Sequence, residues 1–380
     1  MGGSGACGHA AGAGSLRLGA WVTYWDYDRG MQRLATAPSL FDDVFFFSVE
    51  LGSDGRPTLA QATLGQDGAP RDLKARGIRS WMTVVNDVRQ AKGRTALLKD
   101  ADLVHRMLAD PGERAAHRRA IVDLAALHGF AGVDLDYENL RVEDRDRYSS
   151  FVRELAADLS ARGLRLAVTV QPKRQESRSL GPGAADWGRL CQAADRLQIM
   201  LYNLHSARTE PGPVTAPGWF GEVLGFARGQ CDVARIVPVL KVAGMDWGPK
   251  GMKELQHVDV MALLERFGAS VEREAEGATP FFRYVAPDGP HTVYFEDATG
   301  ILKKVTALQA LGYDQVVLWS LGREDPQLLA QLQKHKESVP SARPAGSQGA
   351  WLRPPPHARP FENPFPRFVR GAIDSTLDLR

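Results

Sequence analysis

Eight short apolar runs recur along the chain, and stretches of helical character separate several of them. Each run is rich in β-branched or aromatic residues, which is typical of buried strands. The runs span residues 18–25, 43–50, 79–86, 132–138, 165–171, 197–203, 235–242 and 315–322. Residues 114–128, 145–162 and 300–311 instead carry apolar residues at helical spacing, and each segment is followed by glycine. This alternation predicts parallel β/α architecture.

The number of strands favours a closed form of this architecture. Eight strands with helical crossovers over residues 16–335 predict an α/β fold, the (β/α)8 TIM barrel. An open doubly wound sheet is the main rival. Such a sheet would normally show a glycine-rich phosphate loop after an early strand, and none follows Trp25, Glu50 or Asn86.

Residues 245–296 interrupt the alternation between the seventh strand and the seventh helix. Charged helical sequence over 252–268 precedes a predicted hairpin, which turns at 287–290 (PDGP). We interpret the segment as a small α+β insertion on the face where barrel loops carry specificity. A spacer hairpin without ligand contact is the alternative.

The two ends of the chain differ in composition from the barrel. Residues 1–15 are rich in glycine and alanine and lack the basic and apolar regions of a secretory signal, which predicts a flexible leader or an artificially added end. Residues 336–380 are crowded with proline and are interpreted as a linker or tail. The predicted domains are therefore a leader, a barrel over 16–335 that contains the insertion, and a tail.

Charge and cysteine content exclude several classes of protein. Lys+Arg 47 against Asp+Glu 45 gives a net charge of +2, which offers no electrostatic case for a nucleic-acid partner. No run reaches the roughly 18 apolar residues of a membrane span. Cys7, Cys191 and Cys231 are too few and too scattered for a disulfide framework or a zinc site, so ordinary thiols are expected. The histidines show no metal-ligand spacing; we expect no metal, no cofactor and a monomer.

Three carboxyl groups alternate with apolar residues in the fourth predicted strand. Asp134, Asp136 and Glu138 occupy every second position of GVDLDYE (132–138), so one face of the strand carries all three. Ionised carboxylates at roughly 6–7 Å repel, so at least one pKa should rise. A solvated surface strand is the simpler interpretation, but a closed barrel directs this face inward, where unpaired carboxylates are costly. The pattern therefore predicts an acid catalyst, with Glu138 nearest the opening.

This segment resembles the DxxDxDxE signature of family 18 glycoside hydrolases, (β/α) barrels that include chitinases and bacterial N-acetylglucosaminidases. MLYN (200–203) is similar to the family's M-x-Y-D at the sixth strand, VLWSLG (317–322) to the segment with its eighth-strand tryptophan, and the insertion to its small inserted domain. Three further segments resemble the spore-cortex-lytic peptidoglycan N-acetylglucosaminidases. They are TEPGPVTAPGWF (209–220), YFEDATGILKK (294–304) and WSLGREDP (319–326).

The resemblance implies substrate-assisted, retaining hydrolysis of β-1,4 bonds in a polysaccharide that contains N-acetylglucosamine, such as peptidoglycan or chitin. Glu138 would be the general acid and base, Asp136 would hold the acetamide N–H, and Asp134 would tune the titration of Asp136. Tyr202 would donate to the acetamide carbonyl. Trp319 would form the apolar floor beneath the sugar.

Two positions depart from the family pattern. Ala131 stands in place of the first signature Asp, with a modest expected effect. Asn203 stands where chitinases often have Asp; its amide can bond a sugar hydroxyl but carries no charge, which leaves the pH dependence open. Further candidates for substrate contacts follow the predicted strands. They are Tyr24, Trp25, Glu50, Gln171 and Trp247.

Two other interpretations stay open. The same barrel could serve as a non-catalytic, lectin-like carbohydrate-binding protein, although the intact Asp134, Asp136, Glu138 and Tyr202 argue against this. It could also be the hydrolase module of a larger cell-envelope protein. A polymeric N-acetylated substrate implies that the protein is secreted or acts at the cell envelope.

Overall fold

A closed barrel of eight parallel strands forms the body of the protein. The computed structural model describes residues 16–60, 68–89 and 97–338, so the predicted leader and almost all of the predicted tail lie outside the described residues. The barrel strands are β1 (Arg17–Thr23), β2 (Phe41–Leu51), β4 (Arg79–Val88), β5 (Gly132–Asp136), β6 (Arg165–Val170), β7 (Arg196–Met200), β8 (Ile236–Lys241) and β14 (Gln315–Trp319). Pairing of β1 with both β2 and β14 closes the sheet. All eight predicted strands and the predicted barrel are thereby confirmed.

Helices surround the barrel. They are α1 (Tyr27–Thr36), α2 (Ala69–Ala75), α3 (Ala101–Ala109), α4 (Pro111–His128), α5 (Arg145–Ser160), α6 (Trp187–Ala193), α7 (Pro217–Arg228), α8 (His257–Phe267), α9 (Ala298–Ala310) and α10 (Leu328–Ser338). Helix α4 shows how the sequence sets their ends: the Asp110 side chain accepts from the Glu113 N–H at 2.9 Å, and Gly129 ends the helix at φ 76°. None of the helices in the described ranges has the length and apolar character of a membrane-spanning helix.

The alternation in β5 separates two environments, as predicted. Tyr137, just beyond the strand, stacks on Phe151 of α5 at 6.3 Å between ring centroids, and its hydroxyl lies 2.6 Å from His117 Nε2 of α4. Asp134 points the other way, into the barrel, where side chains of β4, β6 and β7 donate hydrogen bonds to it. The apolar face of β5 therefore packs on helices, and its acidic face lines the barrel.

A buried ionic cluster fills the barrel near the amino ends of the strands. Asp43 accepts two 2.8 Å bonds from Arg79 and one of 2.7 Å from Trp81, and Arg196 Nη1 lies 3.0 Å from its Oδ2. Burial raises the pKa of Asp43, but Arg196 and Arg79 outweigh that effect and hold it below its ordinary value. The charge at this end of the barrel is therefore paired, and the candidate chemistry lies at the other end.

The predicted insertion is present between β8 and α9. Its antiparallel strands are β9 (Gly244–Gly248), β10 (Gly251–Leu255), β11 (Glu272–Arg273), β12 (Pro280–Ala286) and β13 (Gly289–Tyr294), and the hairpin of β12 and β13 turns where the sequence predicted. A further short strand, β3 (Pro57–Leu59), pairs with the end of β2. Helix α8 packs on the insertion sheet, with Val260 buried among Leu255, Phe282 and Val293.

The prediction of helix over 252–268 is wrong at its start. Residues 252–255 (MKEL) belong to β10, and the helix begins at His257 behind a capping box made by Gln256 and Asp259. Met, Lys, Glu and Leu all favour helices, but pairing with β9 overrides that preference, and exposure alternates along the strand with a period of two.

The prediction of ordinary thiols is wrong for two of the three cysteines. Cys191 in α6 and Cys231 after α7 form a disulfide, with 5.7 Å between their Cα atoms and a sequence separation of 40. Spacing along the chain did not reveal the pair, because the fold brings the end of one helix to the end of the next. Cys7 lies outside the described residues.

Candidate active site

The carboxyl ends of the barrel strands gather the acidic row and Tyr202. Asp136 is the last residue of β5, Glu138 lies two residues beyond it, and Tyr202 lies two residues beyond β7. Burial raises the pKa of Tyr202 well above its ordinary value, and the charges of Glu138 and Asp136 add to the rise. The phenol therefore stays protonated and remains a hydrogen-bond donor.

Asp134 lies deepest and is held by three neighbouring strands. Thr83 donates to its Oδ2 at 2.9 Å, and Thr169 and Gln198 donate to its Oδ1 at 2.7 and 3.0 Å. Burial raises the pKa of Asp134 to about 6, although these hydrogen bonds oppose the rise. The cradle does not involve Ala131, which lies ahead of β5 at the far end of the barrel.

Asp136 retains an unused bonding position. Its Oδ1 is buried and has no hydrogen-bond partner within the described part of the chain, while its Oδ2 lies 3.9 Å from Lys99 Nζ. Burial raises the pKa of Asp136 well above its ordinary value; Lys99 opposes the rise, and Glu138 and Asp134 reinforce it. The predicted rise is confirmed, but burial contributes more than the repulsion from which it was predicted.

Glu138 is fixed at the mouth of the barrel. The side chain of Asn86, on β4, accepts from the Glu138 N–H and donates to the Glu138 carbonyl, both at 2.9 Å. The Glu138 carboxylate is 20% exposed and lies 3.0 Å from Lys99 Nζ. On the other side, Gln171 donates to the Asn139 side chain at 3.1 Å and braces the turn that follows Glu138.

Aromatic rings form one wall of the mouth. Trp319, at the end of β14, packs edge to face against Trp21 and Phe47, with centroids 5.7 and 5.1 Å away. Trp25 packs on the same wall, 5.3 Å from Phe47, and is 45% exposed. Tyr24 lies 4.8 Å from Trp25. The structure thus brings three of the predicted aromatic contact residues together, with one indole open to solvent.

Other predicted contact residues have partners within the protein. The Tyr24 hydroxyl donates to Glu50 at 2.9 Å, and Arg89 lies 3.1 Å from the other Glu50 oxygen, so Glu50 braces the wall. Burial and the bond to Glu50 raise the pKa of Tyr24 to about 12. Trp247 packs in the cluster that contains Tyr202 and donates to the Ser206 carbonyl at 3.1 Å.

The insertion borders the site beside Tyr202. Lys241, at the end of β8, lies 5.8 Å from the Tyr202 ring centroid and pairs with Glu254 of β10 at 2.5 Å. Asn203 follows Tyr202, is exposed, and adopts a left-handed backbone with φ 65°. Asparagine tolerates this conformation better than most residues, which gives the position a backbone role besides any contact with a sugar.

Sequence reasoning missed the groups that hold the acidic row. Thr83, Thr169 and Gln198 occupy inward positions on three strands, and only the strand register brings them to Asp134. An inward polar residue in an otherwise apolar strand was the available signal. Lys99 lies outside the helices and strands, so no periodic pattern marks it.

Several curated relatives resemble part of this chain. The cortical fragment-lytic enzyme of Bacillus subtilis is 28% identical over 216 residues, which are 54% of this chain and 50% of the relative. YdhD of the same organism, named as a sporulation-specific glycosylase, is 28% identical over 226 residues, or 58% of this chain and 54% of the relative. The chain therefore spans about half the length of these curated relatives.

Solved structures match most of the described fold. A chitinase from Chromobacterium violaceum superimposes with a TM-score of 0.74 and 26% identity over 85% of this chain and 99% of that chain. The spore cortex-lytic enzyme SleL of Bacillus cereus gives 0.73 and 22% over 85% and 75%, a likeness of fold. The family model for glycosyl hydrolases family 18 matches residues 100–324. The chain belongs to family 18 of the glycosyl hydrolases.

Proposed function

We propose that the protein is a retaining glycoside hydrolase that cleaves β-1,4 bonds after N-acetylglucosamine, with the acetamido group of the substrate as the nucleophile. The observation that carries the proposal is the buried Asp136 Oδ1, which accepts no hydrogen bond from any residue that the structure describes. A buried acceptor without a donor is costly unless a ligand supplies one. An acetamide N–H is such a donor, and family 18 enzymes act by substrate assistance.

Two steps follow from this arrangement. Glu138 donates its proton to the glycosidic oxygen as the bond from that oxygen to the anomeric carbon breaks, and the acetamide oxygen bonds to the same carbon. Asp136 accepts a hydrogen bond from the acetamide N–H, and the Tyr202 hydroxyl donates a hydrogen bond to the acetamide oxygen. Water then attacks the anomeric carbon as the bond from that carbon to the acetamide oxygen breaks, Glu138 takes the proton from that water, and the configuration is retained.

The raised pKa values of Asp134 and Asp136 and the aromatic wall support these roles. Burial raises the pKa of both Asp134 and Asp136, so each carboxyl keeps a proton to a higher pH than an exposed one does. Either group can thus change its charge as positive charge develops on the acetamide. Trp319 and the exposed Trp25 offer apolar faces of the kind on which sugar rings stack.

Peptidoglycan and chitin are the proposed substrate polymers, and a secreted or cell-envelope location is proposed with them. The names of the curated relatives, which refer to spore cortex and sporulation, favour peptidoglycan, while a chitinase shares the fold. The disulfide between Cys191 and Cys231 supports an oxidising location, since such bonds persist mainly outside the cytosol.

Product analysis tests the proposal. Purified peptidoglycan, the N-acetylglucosamine tetramer and, as a control without acetamido groups, the glucose tetramer are incubated with the protein, and the products are analysed by mass spectrometry and by NMR of the first anomer formed. We expect cleavage of at least one N-acetylated substrate to a β-anomer and none of the glucose tetramer. An α-anomer would contradict the mechanism. Binding of the N-acetylated glycans without cleavage would instead favour the lectin-like alternative.

A further inference from the structure

A partly buried lysine contacts the proposed general acid. Lys99 Nζ lies 3.0 Å from Glu138 Oε1, 3.7 Å from Asp87 Oδ1 and 3.9 Å from Asp136 Oδ2, and the lysine side chain is 17% exposed. The same ammonium lies 5.3 Å from the centroid of the Phe47 ring, which packs against Trp319. One cation therefore faces three carboxylates and the aromatic wall.

The chain holds Lys99 in place at several points. The Lys99 N–H donates to Asp87 Oδ1 at 2.8 Å, and the residue adopts a left-handed backbone with φ 55°. The N–H of the next residue, Asp100, donates to the Asn86 carbonyl at 2.8 Å, and the Asp100 side chain caps α3. A left-handed conformation is uncommon for a lysine and persists only where the surroundings impose it.

The same two residues of β4 position both partners of the ion pair. The Asn86 side chain holds the backbone of Glu138, and the Asp87 side chain holds the backbone of Lys99. The backbones of both partners are thus anchored to the same strand end. This differs from a surface ion pair, where two mobile side chains lose entropy for little gain.

The ammonium keeps its charge in this setting. Burial alone would lower the pKa of Lys99, but the carboxylates of Asp136, Glu138 and Asp87 outweigh it and raise that pKa above the ordinary value. Lys99 therefore holds its protons at neutral pH. A fixed positive charge beside Glu138 remains.

We propose that Lys99 is a positioning residue for Glu138, which holds the carboxyl group in one orientation at the mouth and stabilises the carboxylate that forms when Glu138 gives its proton to the glycosidic oxygen. The inference rests on the proposed hydrolase function. In the first step negative charge develops on Glu138 3.0 Å from the ammonium, which keeps its own protons. In the second step the same contact holds the carboxylate while it accepts a proton from water.

Steady-state kinetics of Lys99 variants test this role, with the N-acetylated substrate that the wild type cleaves. Lys99→Met should lower kcat by at least about tenfold, because a preorganised charge at the reacting group is lost, while KM changes by less than about threefold. Lys99→Arg should recover several-fold of that loss, since it restores the charge in a different shape. The melting temperature of each variant reports whether it folds.

Lys336→Met is the matched control. Lys336 pairs with Asp42 at 2.9 Å and is 21% exposed, close to the exposure of Lys99, but it lies on α10, where it also donates to the Leu40 carbonyl ahead of β2. Its loss should leave kcat unchanged. Equal kcat for Lys99→Met and the wild type, or a fall in kcat that Lys99→Arg does not relieve, would overturn the positioning role alone. A wild type that cleaves no N-acetylated glycan would overturn the proposed function and this role with it.

Discussion

The Thr169 hydroxyl donates a 2.7 Å hydrogen bond to Asp134 Oδ1 inside the barrel. The two residues lie on adjacent parallel strands, where the register pairs Asp134 with Ala167, two residues before Thr169. Gln198, on the next strand, donates to both of them at 3.0 Å. A buried carboxyl group is thereby held at the base of the acidic row.

Replacement of the Thr169 hydroxyl should weaken the fold in a pH-dependent way. Thr169→Val keeps the shape and removes a donor to a buried carboxylate, so we expect the free energy of unfolding to fall by about 1–3 kcal/mol at pH 7. At pH 4 Asp134 is largely protonated and the loss should be smaller. Urea denaturation at both pH values measures the difference, with Thr58→Val on the exposed strand β3 as the control. Equal losses at pH 4 and pH 7 would contradict the account.

Asp134 should also make the protein more stable at mildly acidic pH. Its pKa is about 6 in the folded protein and near 3.8 when unfolded, so the unfolded state releases the proton first as pH rises. Over the full titration, from about pH 3 to pH 7, the free energy of unfolding should then fall by about 3 kcal/mol, at roughly 1.4 kcal/mol per pKa unit. Asp134→Asn should flatten that dependence in urea denaturation experiments. The raised pKa of Asp136 also lowers stability as pH rises, so the Asp134→Asn variant should keep a weaker pH dependence of the free energy of unfolding.

The Asp43 cluster should change the pH dependence of the free energy of unfolding in the direction opposite to Asp134. The pKa of Asp43 is held below the ordinary value, so its stabilisation is present above about pH 4 and is lost as pH falls through the folded pKa. Asp43→Asn leaves Arg79 and Arg196 without their counter-charge, and we expect a loss of about 3–5 kcal/mol at pH 7. The neighbouring Asp42→Asn, which removes a partly exposed partner of Lys336, should cost about 1 kcal/mol or less. Similar losses for the two variants would contradict the importance assigned to the cluster.

The disulfide should stabilise the folded protein because it restricts the unfolded chain between the two cysteines. Cys191 and Cys231 are separated by 40 residues, a loop for which constraint of the unfolded chain is worth about 2–4 kcal/mol. The double variant with Ala at both positions should melt at a lower temperature than the wild type. A reducing agent should lower the melting temperature of the wild type towards that of the double variant. No response of the wild type to reduction would show that the bond contributes nothing.

The sequence predicted the elements of the fold well because each strand is apolar on its own. The acidic row could be assigned to the barrel interior, because the side chains of β5 alternate and its other face is apolar throughout. The helix that ends at Gly129 was likewise marked by a residue that accepts φ 76° without strain. These features are local, and a single sequence displays them.

The missed features depend on contacts between distant parts of the chain. Cys191 meets Cys231 only after two helices have packed, and Lys99 reaches Glu138 from a segment without a periodic pattern. The start of the helix predicted over 252–268 was wrong because residues 252–255 favour helix locally, while pairing with β9 makes them part of β10. The sequence alone shows that alanine replaces the first signature acid at position 131. It does not show which residues bond to Asp134, because that depends on the register of the neighbouring strands.

Turnover by the Glu138→Gln variant tests whether Glu138 is the general acid. Glutamine keeps the size and the backbone bonds to Asn86 but cannot give a proton to the glycosidic oxygen. On the N-acetylated substrate that the wild type cleaves, we expect kcat to fall by at least about 10²-fold, with the fold intact by circular dichroism. Glu222→Gln, an exposed glutamate on α7, should retain full activity. Unchanged turnover by Glu138→Gln would contradict the assignment of Glu138 as the general acid.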